Sequence, residues 1–369
     1  MLEVARHEGE VTVTRMTHAQ LLSAYTTLRL GGPARAVVEC TDTASLVETV
    51  TRLDREAEPV LLIGGGSNLV IGDDGFAGTA VIVRSTGITF DSDDEGPFVT
   101  AAAGTDWDTL VAATVDAGFG GLECLSGIPG AAGTTPVQNV GAYGVEVGDL
   151  LRSVELLDRA TGKAEWVSPA ALGLAYRTSK LKGTDTHVVL TVSFRLNPGG
   201  VSQPIAYREL AQRLGVDEGS TAPAAQVRDV VLGLRAGKGM VLDADDHDTW
   251  SAGSFFTNPV VGDDRIDQVM AAIVAKVGDD VKVPRFPAEG GSKLSAGWLI
   301  ERAGFTRGYP DEEAPARLST KHTLALTNRG AATAADLVTL ASDVRDGVRD
   351  AFGVDLHPEP VFVSCSLPR

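Results

Sequence analysis

Residues 118–148 contain nine glycines and show little helical or strand periodicity. Glycine loses more conformational entropy on folding than any other residue, so such a segment is costly to order. A connection of this length without regular structure is uncommon in a compact domain unless it has a function, such as ligand binding. The segment therefore predicts a ligand-binding loop that regular elements must hold on both sides.

Those regular elements alternate between strand and helix patterns. Residues 35–68 fit a strand, a helix capped by Asp42 or Thr43, a second strand and a glycine loop. A capping box at Thr333 and Asp336 begins a long helix near the end of the chain. Elsewhere the patterns predict strands at 79–85 and 98–104 with an acidic turn at 89–97, a helix at 106–118, strand pairs at 151–168 and 186–196, helices at 224–239, 263–277 and 293–303, and strands at 322–328 and 354–364.

Length and charge narrow the class of protein. The 369 residues exceed what one hydrophobic core usually holds, so we expect an α+β protein of two or three domains. The 32 Lys and Arg against 49 Asp and Glu give a formal net charge of −17, which argues against nucleic acid and anionic membranes as partners. A site for an anionic ligand must therefore provide its own Lys, Arg or backbone N–H groups.

Further features predict a cytoplasmic protein without a metal. The first 16 residues lack the apolar core of a signal peptide, and no apolar run approaches the roughly 20 residues of a membrane span. The three cysteines, Cys40, Cys124 and Cys365, are far apart and form no Cys-x-x-Cys pair, which fits a reducing compartment. The six histidines show no metal-ligand spacing, so no metal site is expected.

A glycine loop at Gly64–Asn68 directly follows an apolar strand. Glycines allow close backbone approach, and successive N–H groups can cradle a phosphate. Leu69 stands where a dinucleotide-binding G-x-G-x-x-G motif needs its third glycine, and no Gly-Lys-Ser/Thr follows as in a P-loop. On this motif alone, a phosphate site and a tight structural turn both remain open.

A longer pattern is much more specific. The sequence from Gly121 to Asp149, "GLECLSGIPGAAGTTPVQNVGAYGVEVGD", together with "GGGSN" and the upstream "TTLRLGG", resembles the FAD-binding half of the UDP-N-acetylenolpyruvoylglucosamine reductase family. The resemblance extends in motif order from about Thr26 to about Val363. It implies the two-subdomain FAD-binding fold of p-cresol methylhydroxylase and vanillyl-alcohol oxidase, plus a C-terminal α/β substrate domain. The expected domains are 1–85 with 355–369, 86–239 and 240–354.

The resemblance also implies where FAD binds. The loop at Gly64–Asn68 would hold the pyrophosphate, and the Gly-rich segment would line both the pyrophosphate and the isoalloxazine. FAD is expected to be bound without a covalent link. The implied cofactor-binding residues are Gly64, Gly65, Gly66, Ser67, Asn68, Ser126, Gly127, Ile128, Pro129, Gly130, Gly133, Gln138, Asn139, Gly141, Ala142, Tyr143 and Gly144.

The implied reaction is the NADPH-dependent reduction of an enolpyruvyl ether on UDP-N-acetylglucosamine to a lactyl ether, in peptidoglycan precursor synthesis. NADPH would reduce FAD and leave, and a hydride would then pass from flavin N5 to C3 of the substrate. Arg177 in "AYRTSKLKG" would clamp the substrate carboxylate, because its planar fork suits that group. Ser254 in "AGSFFTNP" would protonate C2. Glu359 in "LHPEP" would act either as a neutral donor or as the group that orients Ser254 or Arg177.

The remaining expectations concern the substrate and the alternatives. We expect a small-molecule sugar nucleotide as partner, and a monomeric protein. One rival is an alcohol or sugar oxidase of the same flavin fold, against which "AGSFFTNP" and "LHPEP" argue; the other is a non-catalytic nucleotide-binding module. The residues that the family motifs imply for the substrate are Tyr176, Tyr207, Lys238, Asn258 and Lys293.

Overall fold

The computed structural model describes residues 20–368, so the N-terminal residues that bear on a signal peptide lie outside the described part. The N-terminal part contains β1 (Ala34–Cys40), α1 (Thr43–Arg55), β2 (Val60–Ile63), β3 (Leu69–Ile71) and β4 (Phe76–Val83). Three of these strands form a parallel sheet in the order β1–β4–β2. Asp42 caps α1 in a capping box with Ser45, so the first of the two predicted caps is the one used.

The middle part is built on a five-stranded antiparallel sheet. Its elements are β5 (Ile88–Asp93), β6 (Gly96–Ala102), α2 (Trp107–Asp116), β7 (Gly141–Ala142), β8 (Val145–Glu146), α3 (Val147–Leu150), β9 (Leu151–Asp158), β10 (Lys163–Val167), α4 (Pro169–Leu172), β11 (His187–Arg195), α5 (Arg208–Leu214) and α6 (Ala224–Gly237). The large sheet runs β10–β9–β11–β6–β5. Helices α2 and α6 share one hydrophobic core with it, in which the buried Trp107 ring meets Phe194 edge to face at 5.5 Å.

The C-terminal part mixes short strands with three helices. Its elements are β12 (Val260–Val261), α7 (Ile266–Val277), β13 (Arg285–Ala288), β14 (Gly291–Leu294), α8 (Ala296–Ala303), β15 (Ala316–Leu318), β16 (Leu326–Asn328), α9 (Ala334–Phe352) and β17 (Val361–Val363). Helices α7, α8 and α9 pack around one core, which also takes in Leu28, Leu30 and Val70 from the N-terminal part. The two ends of the described chain are therefore joined through a shared hydrophobic cluster.

Several polar contacts fix the C-terminal part against the N-terminal part. Strand β17 pairs in parallel with β3, and Asp73 accepts hydrogen bonds from the first two N–H groups of α9. The Thr27 hydroxyl donates to Ser251 O at 2.7 Å, and the Asn328 side chain donates to Leu28 O at 3.0 Å. These contacts position the segment that leads into Ser254.

Most of the predicted elements are confirmed. The strands predicted at 322–328 and 354–364 are shorter, as β16 and β17, and three other predictions need correction. The acidic turn at 89–97 is instead the edge strand β5 and a tight turn into β6, because charged side chains are tolerated on an exposed edge strand. The predicted strand pair at 186–196 is the single strand β11, which pairs with β9 and β6. The helix predicted from 293 begins at Ala296, since Ser295 caps it and Lys293 lies in β14.

Two further findings concern the part of the chain that the structure describes. Within residues 20–368, no helix is long and apolar enough to cross a membrane. The same residues contain no group of three or more His, Cys, Asp or Glu side chains that could hold a metal ion. The division into three domains and the absence of a metal stay predictions.

Candidate active site

A cleft of about 630 Å³ lies where the three parts meet. This volume is within the range of sites that bind a large organic ligand. The glycine loop after β2, the Gly-rich segment and the three predicted catalytic residues all contribute to the lining of this cleft. The Gly-rich segment itself contains short 3-10 turns at Glu123–Leu125 and Ala132–Thr134 and the two-residue strands β7 and β8, so it is ordered without long regular elements.

The two glycine motifs pack backbone against backbone. A Cβ on Gly65 would lie 2.4 Å from Gly130 Cα, so a side chain there would separate the two loops. Gly66 has a φ of +62°, and a Cβ there would lie 1.8 Å from the Tyr25 carbonyl oxygen. Only glycine combines this left-handed backbone with such a close approach. The motifs at Gly64–Asn68 and Gly127–Gly130 therefore form one continuous surface of the cleft.

This surface offers free hydrogen-bond donors. Among residues 20–368, the N–H groups of Gly65, Gly66 and Ser67 donate no hydrogen bond to another protein group. Successive backbone N–H groups of this kind suit a phosphate or pyrophosphate. Of the two interpretations that the sequence left open for this loop, the geometry favours the phosphate site.

A buried arginine provides a second feature that fits a cofactor. Arg235, on α6, lines the cleft and is 9% exposed, and its Nε has no hydrogen-bond partner within the described residues. Its Nη2 donates to Met240 O at 2.8 Å. Burial lowers the pKa of Arg235 to about 10, which still leaves it charged at neutral pH. Burying a cation without a full set of hydrogen-bond partners costs free energy unless a ligand provides the missing acceptor. The electron-rich edge of a flavin suits the role of that acceptor.

Arg177 lies at the tip of a tight turn and lines the cleft. Backbone hydrogen bonds of 3.1 Å in both directions between Ala175 and Thr178 close this turn. The Arg177 guanidinium donates to Gly141 O at 2.6 Å, and its Nε lies 3.5 Å from a Glu359 carboxylate oxygen. A second acid, Glu146, lies 4.0 Å away. Arg177 is thus anchored on one side by the Gly-rich segment and paired on the other with a predicted catalytic residue.

Ser254 and Glu359 are brought together by backbone pairing. The N–H of Glu359 donates to the carbonyl of Phe255 at 2.8 Å, and Phe256 forms an isolated β-bridge with Pro358. The buried Phe255 and Phe256 rings hold this segment in the C-terminal core. The "AGSFF" and "HPEP" motifs, distant in sequence, therefore form one short paired structure, and both Ser254 and Glu359 line the cleft.

The environment of Glu359 favours its neutral form. Burial raises the pKa of the Glu359 carboxyl above its ordinary value, and the charges of Arg177 and Lys182 oppose this rise. Lys182 lines the same cleft and donates to the Arg177 carbonyl at 3.0 Å. Relative to an exposed glutamate, burial shifts Glu359 toward its neutral form, and the two cations partly offset that shift.

Asn68 links the cofactor loop to the catalytic wall. Its side-chain amide donates to Gln138 Oε1 at 2.8 Å and, at 3.4 Å, to the Glu359 carbonyl. Its own carbonyl accepts from Val361 N at 2.9 Å. A single residue of the first glycine motif thus contacts both the second motif and the segment from Glu359 into β17.

Most predicted cofactor residues lie on the cleft, and several lie behind it. Asn139 is buried and bonds Glu146, Ala175 O and Gly148 N, so it supports the segment from the back. Ser126 is fully buried and donates to Glu123 O at 2.6 Å. Those that line the cleft are Gly64, Gly66, Ser67, Asn68, Ile128, Pro129, Gly130, Gly133, Gln138 and Gly141, whereas Gly65, Ser126, Gly127, Asn139, Ala142, Tyr143 and Gly144 do not.

Three of the predicted substrate residues form one cluster beside Arg177. The Tyr176 ring lies between two cations, 5.2 Å from the Arg177 guanidinium and 5.0 Å from Lys293 Nζ. Asn258 accepts from the N–H of Ala296 at 2.9 Å, at the start of α8. The cluster lies next to the cleft rather than in its lining.

The other two predicted substrate residues lie near the start of α5. Tyr207, which is 40% exposed, meets the Tyr143 ring edge to face at 5.3 Å. Lys238 forms an ion pair of 3.2 Å with Glu209. Tyr207 and Glu209 are two residues apart, so both contacts tie the same short segment to the rest of the protein.

Sequence reasoning missed several residues of the cleft. Lys182 stands in the same motif as Arg177, and its position could have drawn attention to it. Arg235 lies in an ordinary amphipathic helix, which gives no local signal. The cleft is also lined by residues of β2, β4, β11 and the loop before β11, which carry no motif, including Val60, Leu61, Leu62, Val83, Gly183, Thr184, His187, Val188 and Val189.

Comparisons with known proteins agree with this arrangement. The family model described as FAD binding domain matches residues 34–168, which contain both glycine motifs. The model described as the C-terminal domain of UDP-N-acetylenolpyruvoylglucosamine reductase matches residues 245–363, which contain Ser254 and Glu359. The fold and the cleft thus define an FAD-dependent oxidoreductase.

Full-length relatives identify the family. The chain is 62% identical over 356 residues to a UDP-N-acetylenolpyruvoylglucosamine reductase of Nocardia farcinica, covering 96% of this chain and 92% of the relative. It is 57% identical over 362 residues to one of Saccharopolyspora erythraea, covering 98% and 99%. The chain therefore belongs to the UDP-N-acetylenolpyruvoylglucosamine reductase family.

A solved structure supports the fold. The crystal structure of UDP-N-acetylenolpyruvylglucosamine reductase from Thermus caldophilus aligns with a TM-score of 0.63 at 24% identity, covering 95% of this chain and 99% of that one. The predicted fold, an FAD-binding half of the p-cresol methylhydroxylase type followed by a C-terminal substrate domain, is confirmed.

Proposed function

We propose that this enzyme reduces the enolpyruvyl group of UDP-N-acetylglucosamine enolpyruvate to the lactyl ether of UDP-N-acetylmuramate, with FAD in the cleft and NADPH as the reductant. The observation that carries the proposal is that Arg177, Ser254 and Glu359 line the same cleft as the two glycine loops, with Arg177 Nε 3.5 Å from a Glu359 carboxylate oxygen. The product is a peptidoglycan precursor, so the enzyme would act in the cytoplasm, as a monomer on a soluble sugar nucleotide.

Bound FAD supplies the hydride in this reaction. The pyrophosphate would be held by the free N–H groups of the loop at Gly64–Asn68, and the flavin would lie toward Ile128–Gly130 and Arg235. Because the pyrophosphate loop is contiguous with the Gly-rich segment, one extended molecule can contact both. Leu62, Val83 and Val189 give the cleft apolar lining that suits a planar base.

Arg177 would bind the carboxylate of the enolpyruvyl group. Hydride addition at C3 places negative charge on C2 and the adjoining carboxylate, and a fixed guanidinium stabilises that charge without reorganising. The bond to Gly141 O holds one edge of the fork, so the rest of the fork can face the substrate.

Ser254 would then deliver the proton to C2. A hydroxyl is a weak acid, so its proton must be replaced from a nearby group as it leaves. Glu359 is joined to the same segment through Phe255 and has a raised pKa, so it can act as that group or orient the hydroxyl. Both roles that the sequence left open for Glu359 are compatible with this pairing.

The predicted substrate residues would bind the rest of the sugar nucleotide. Tyr176, Asn258 and Lys293 lie together beside Arg177, where they could contact the enolpyruvyl sugar. Tyr207 and Lys238 lie near α5, where the exposed tyrosine could cover bound substrate and the lysine could reach the diphosphate.

The experiment uses the purified holoenzyme under anaerobic conditions. NADPH should bleach the yellow FAD, and UDP-N-acetylglucosamine enolpyruvate should restore the colour within a few turnovers and yield UDP-N-acetylmuramate. Air alone should restore it slowly. Rapid reoxidation by O₂ together with oxidation of an added alcohol or sugar would instead indicate an oxidase, and a protein that never binds FAD would indicate a non-catalytic module.

A further inference from the structure

Lys182 lies on the cleft wall, five residues after Arg177, and no family motif quoted above assigns it a role. Its side chain is half-buried, and its ammonium donates to the carbonyl of Arg177 at 3.0 Å. A partly buried lysine loses hydration, and its hydrogen bond to one protein carbonyl offsets part of that loss. Its sequence neighbour Lys180 is exposed and packs over Gly173.

The carbonyl that Lys182 holds belongs to a backbone in an unfavourable conformation. Arg177 has a φ of +54°, a left-handed value that residues with a side chain rarely adopt. Such conformations persist where surrounding contacts over-determine them, and they are concentrated at functional sites. The bridge between Ala175 and Thr178 fixes the base of the turn, and Lys182 fixes its tip.

The orientation of the Arg177 guanidinium depends on this tip. A guanidinium that must reach both Gly141 O and Glu359 allows little rotation of the backbone from which it extends. If Arg177 relaxed to a right-handed φ, its side chain would project from the backbone in a different direction. The hydrogen bond from Lys182 therefore helps to keep the fork of Arg177 facing the cleft.

Lys182 also acts on Glu359 through its charge. The charged groups that face the Glu359 carboxyl are Arg177 and Lys182, and both oppose the rise in its pKa that burial causes. Tyr176 lies close enough to sense the charge of Glu359, and Glu146 is close to Arg177. Burial lowers the pKa of Lys182, Glu359 opposes this change, and Arg177 adds to it.

We propose that Lys182 is a positioning residue for the Arg177–Glu359 pair: its ammonium holds the left-handed turn that aims Arg177 and gives Glu359 a second positive neighbour. The proposal rests on the proposed reduction of the enolpyruvyl substrate, because the pair acts only in that half of the cycle. Lys182 itself does not touch the reacting atoms.

The test compares Lys182→Met and Lys182→Arg with a matched control, Lys180→Met. Each FAD-loaded protein is followed by anaerobic stopped-flow in two steps, reduction by NADPH and reoxidation by UDP-N-acetylglucosamine enolpyruvate. Lys182→Met should be reduced at nearly the wild-type rate but reoxidised about tenfold more slowly or worse, since it loses a charged hydrogen bond. Lys182→Arg should recover part of the rate, and Lys180→Met should match the wild type in both steps.

The pH dependence of reoxidation gives a second readout. Removing a cation near Glu359 raises the pKa of that carboxyl further, so the corresponding limb of the profile should move to higher pH in Lys182→Met. A purely structural lysine would lower the rate at all pH values without moving the limb, which would contradict the proposal.

The other outcomes are equally decisive. If Lys182→Met loses FAD, or slows both steps equally, Lys182 is a cofactor-binding residue and the proposal is wrong. If both steps keep the wild-type rate, Lys182 has no role in the cycle. If wild-type protein itself is not reoxidised by the enolpyruvyl substrate, the proposed function fails first, and this control separates the two failures.

Discussion

Replacing Arg177 with lysine keeps the positive charge but removes the planar guanidinium that contacts several groups at once. In the structure, the guanidinium of Arg177 bonds Gly141 O at 2.6 Å and lies 3.5 Å from Glu359. A lysine has one compact ammonium on a flexible stem, so it cannot hold the carbonyl, face the buried carboxyl and clamp a substrate carboxylate at once. At least one of these contacts must be lost in Arg177→Lys.

The magnitude follows from the contact that is lost. A hydrogen bond that involves a charged group contributes about 1.5–3 kcal/mol, and about 1.4 kcal/mol of barrier corresponds to a tenfold change in rate. Loss of one such bond to the developing charge therefore predicts a slowing of about 10- to 100-fold. Loss of the bidentate geometry as well would increase this further.

The assay is anaerobic stopped-flow of the two half-reactions. Arg177→Lys should be reduced by NADPH at close to the wild-type rate, and its reoxidation by the enolpyruvyl substrate should show the full loss. Arg152→Lys is the matched control, because Arg152 makes a comparable two-nitrogen contact with Asp93 on the large sheet, outside the cleft lining. It should leave both steps unchanged.

Equal damage to both steps in Arg177→Lys would refute this reasoning. In that case Arg177 would contact NADPH or support the fold, and the assignment to the substrate carboxylate would be wrong. A loss of less than about twofold in reoxidation would also contradict it, because a fork that contributes nothing beyond charge is not a clamp.

Three further outcomes are expected. FAD should be released free when the holoenzyme is precipitated in acid, and flavin that stays with the polypeptide on chromatography would contradict non-covalent binding. Burial raises the pKa of Glu359. If the neutral acid is needed, reoxidation should be fast below that raised pKa and slow down as pH increases through it. Glu359→Gln should abolish this pH-dependent decrease, and a profile that keeps the decrease would point to another group. Asp248→Ala should lower stability by about 3–5 kcal/mol, because it leaves the partly buried Arg329 without its partner at 3.0 Å, whereas the exposed Asp245→Ala should change the melting temperature little.

The sequence predicted the fold well where local signals were strong. The helix at Thr43–Arg55 and the helix at Ala334–Phe352 carry complete capping boxes, and both begin where their caps stand. The strand β5 was missed because Asp91 and Asp93 look like a loop, while an edge strand can expose them. Lys293 was assigned to a helix because Ser295, the actual cap, gives no stronger local signal than its neighbours.

The site was predictable as a set of motifs but not as a geometry. Nothing local to the sequence shows that Glu359 pairs with Phe255, or that Asn68 contacts both Gln138 and the Glu359 carbonyl, since the Asn68 contacts alone join segments 70 and 291 residues apart. Arg235 was missed for the same reason, because its importance comes from the cleft that it faces rather than from its helix. Long-range packing decides which motif residues line the cleft and which support it from behind.

The central claim is that Ser254 protonates the substrate after hydride has been delivered. Anaerobic stopped-flow of Ser254→Ala tests it most directly, because reduction of FAD by NADPH needs no proton donor at the enol carbon. That step should keep close to its wild-type rate, while reoxidation by UDP-N-acetylglucosamine enolpyruvate should slow by about 10²–10⁴-fold. Ser254→Cys should recover part of the loss, since a thiol can also donate a proton. If Ser254→Ala is reoxidised at the wild-type rate, the account is contradicted. The role of proton donor would then pass to Glu359 or to a water that it holds.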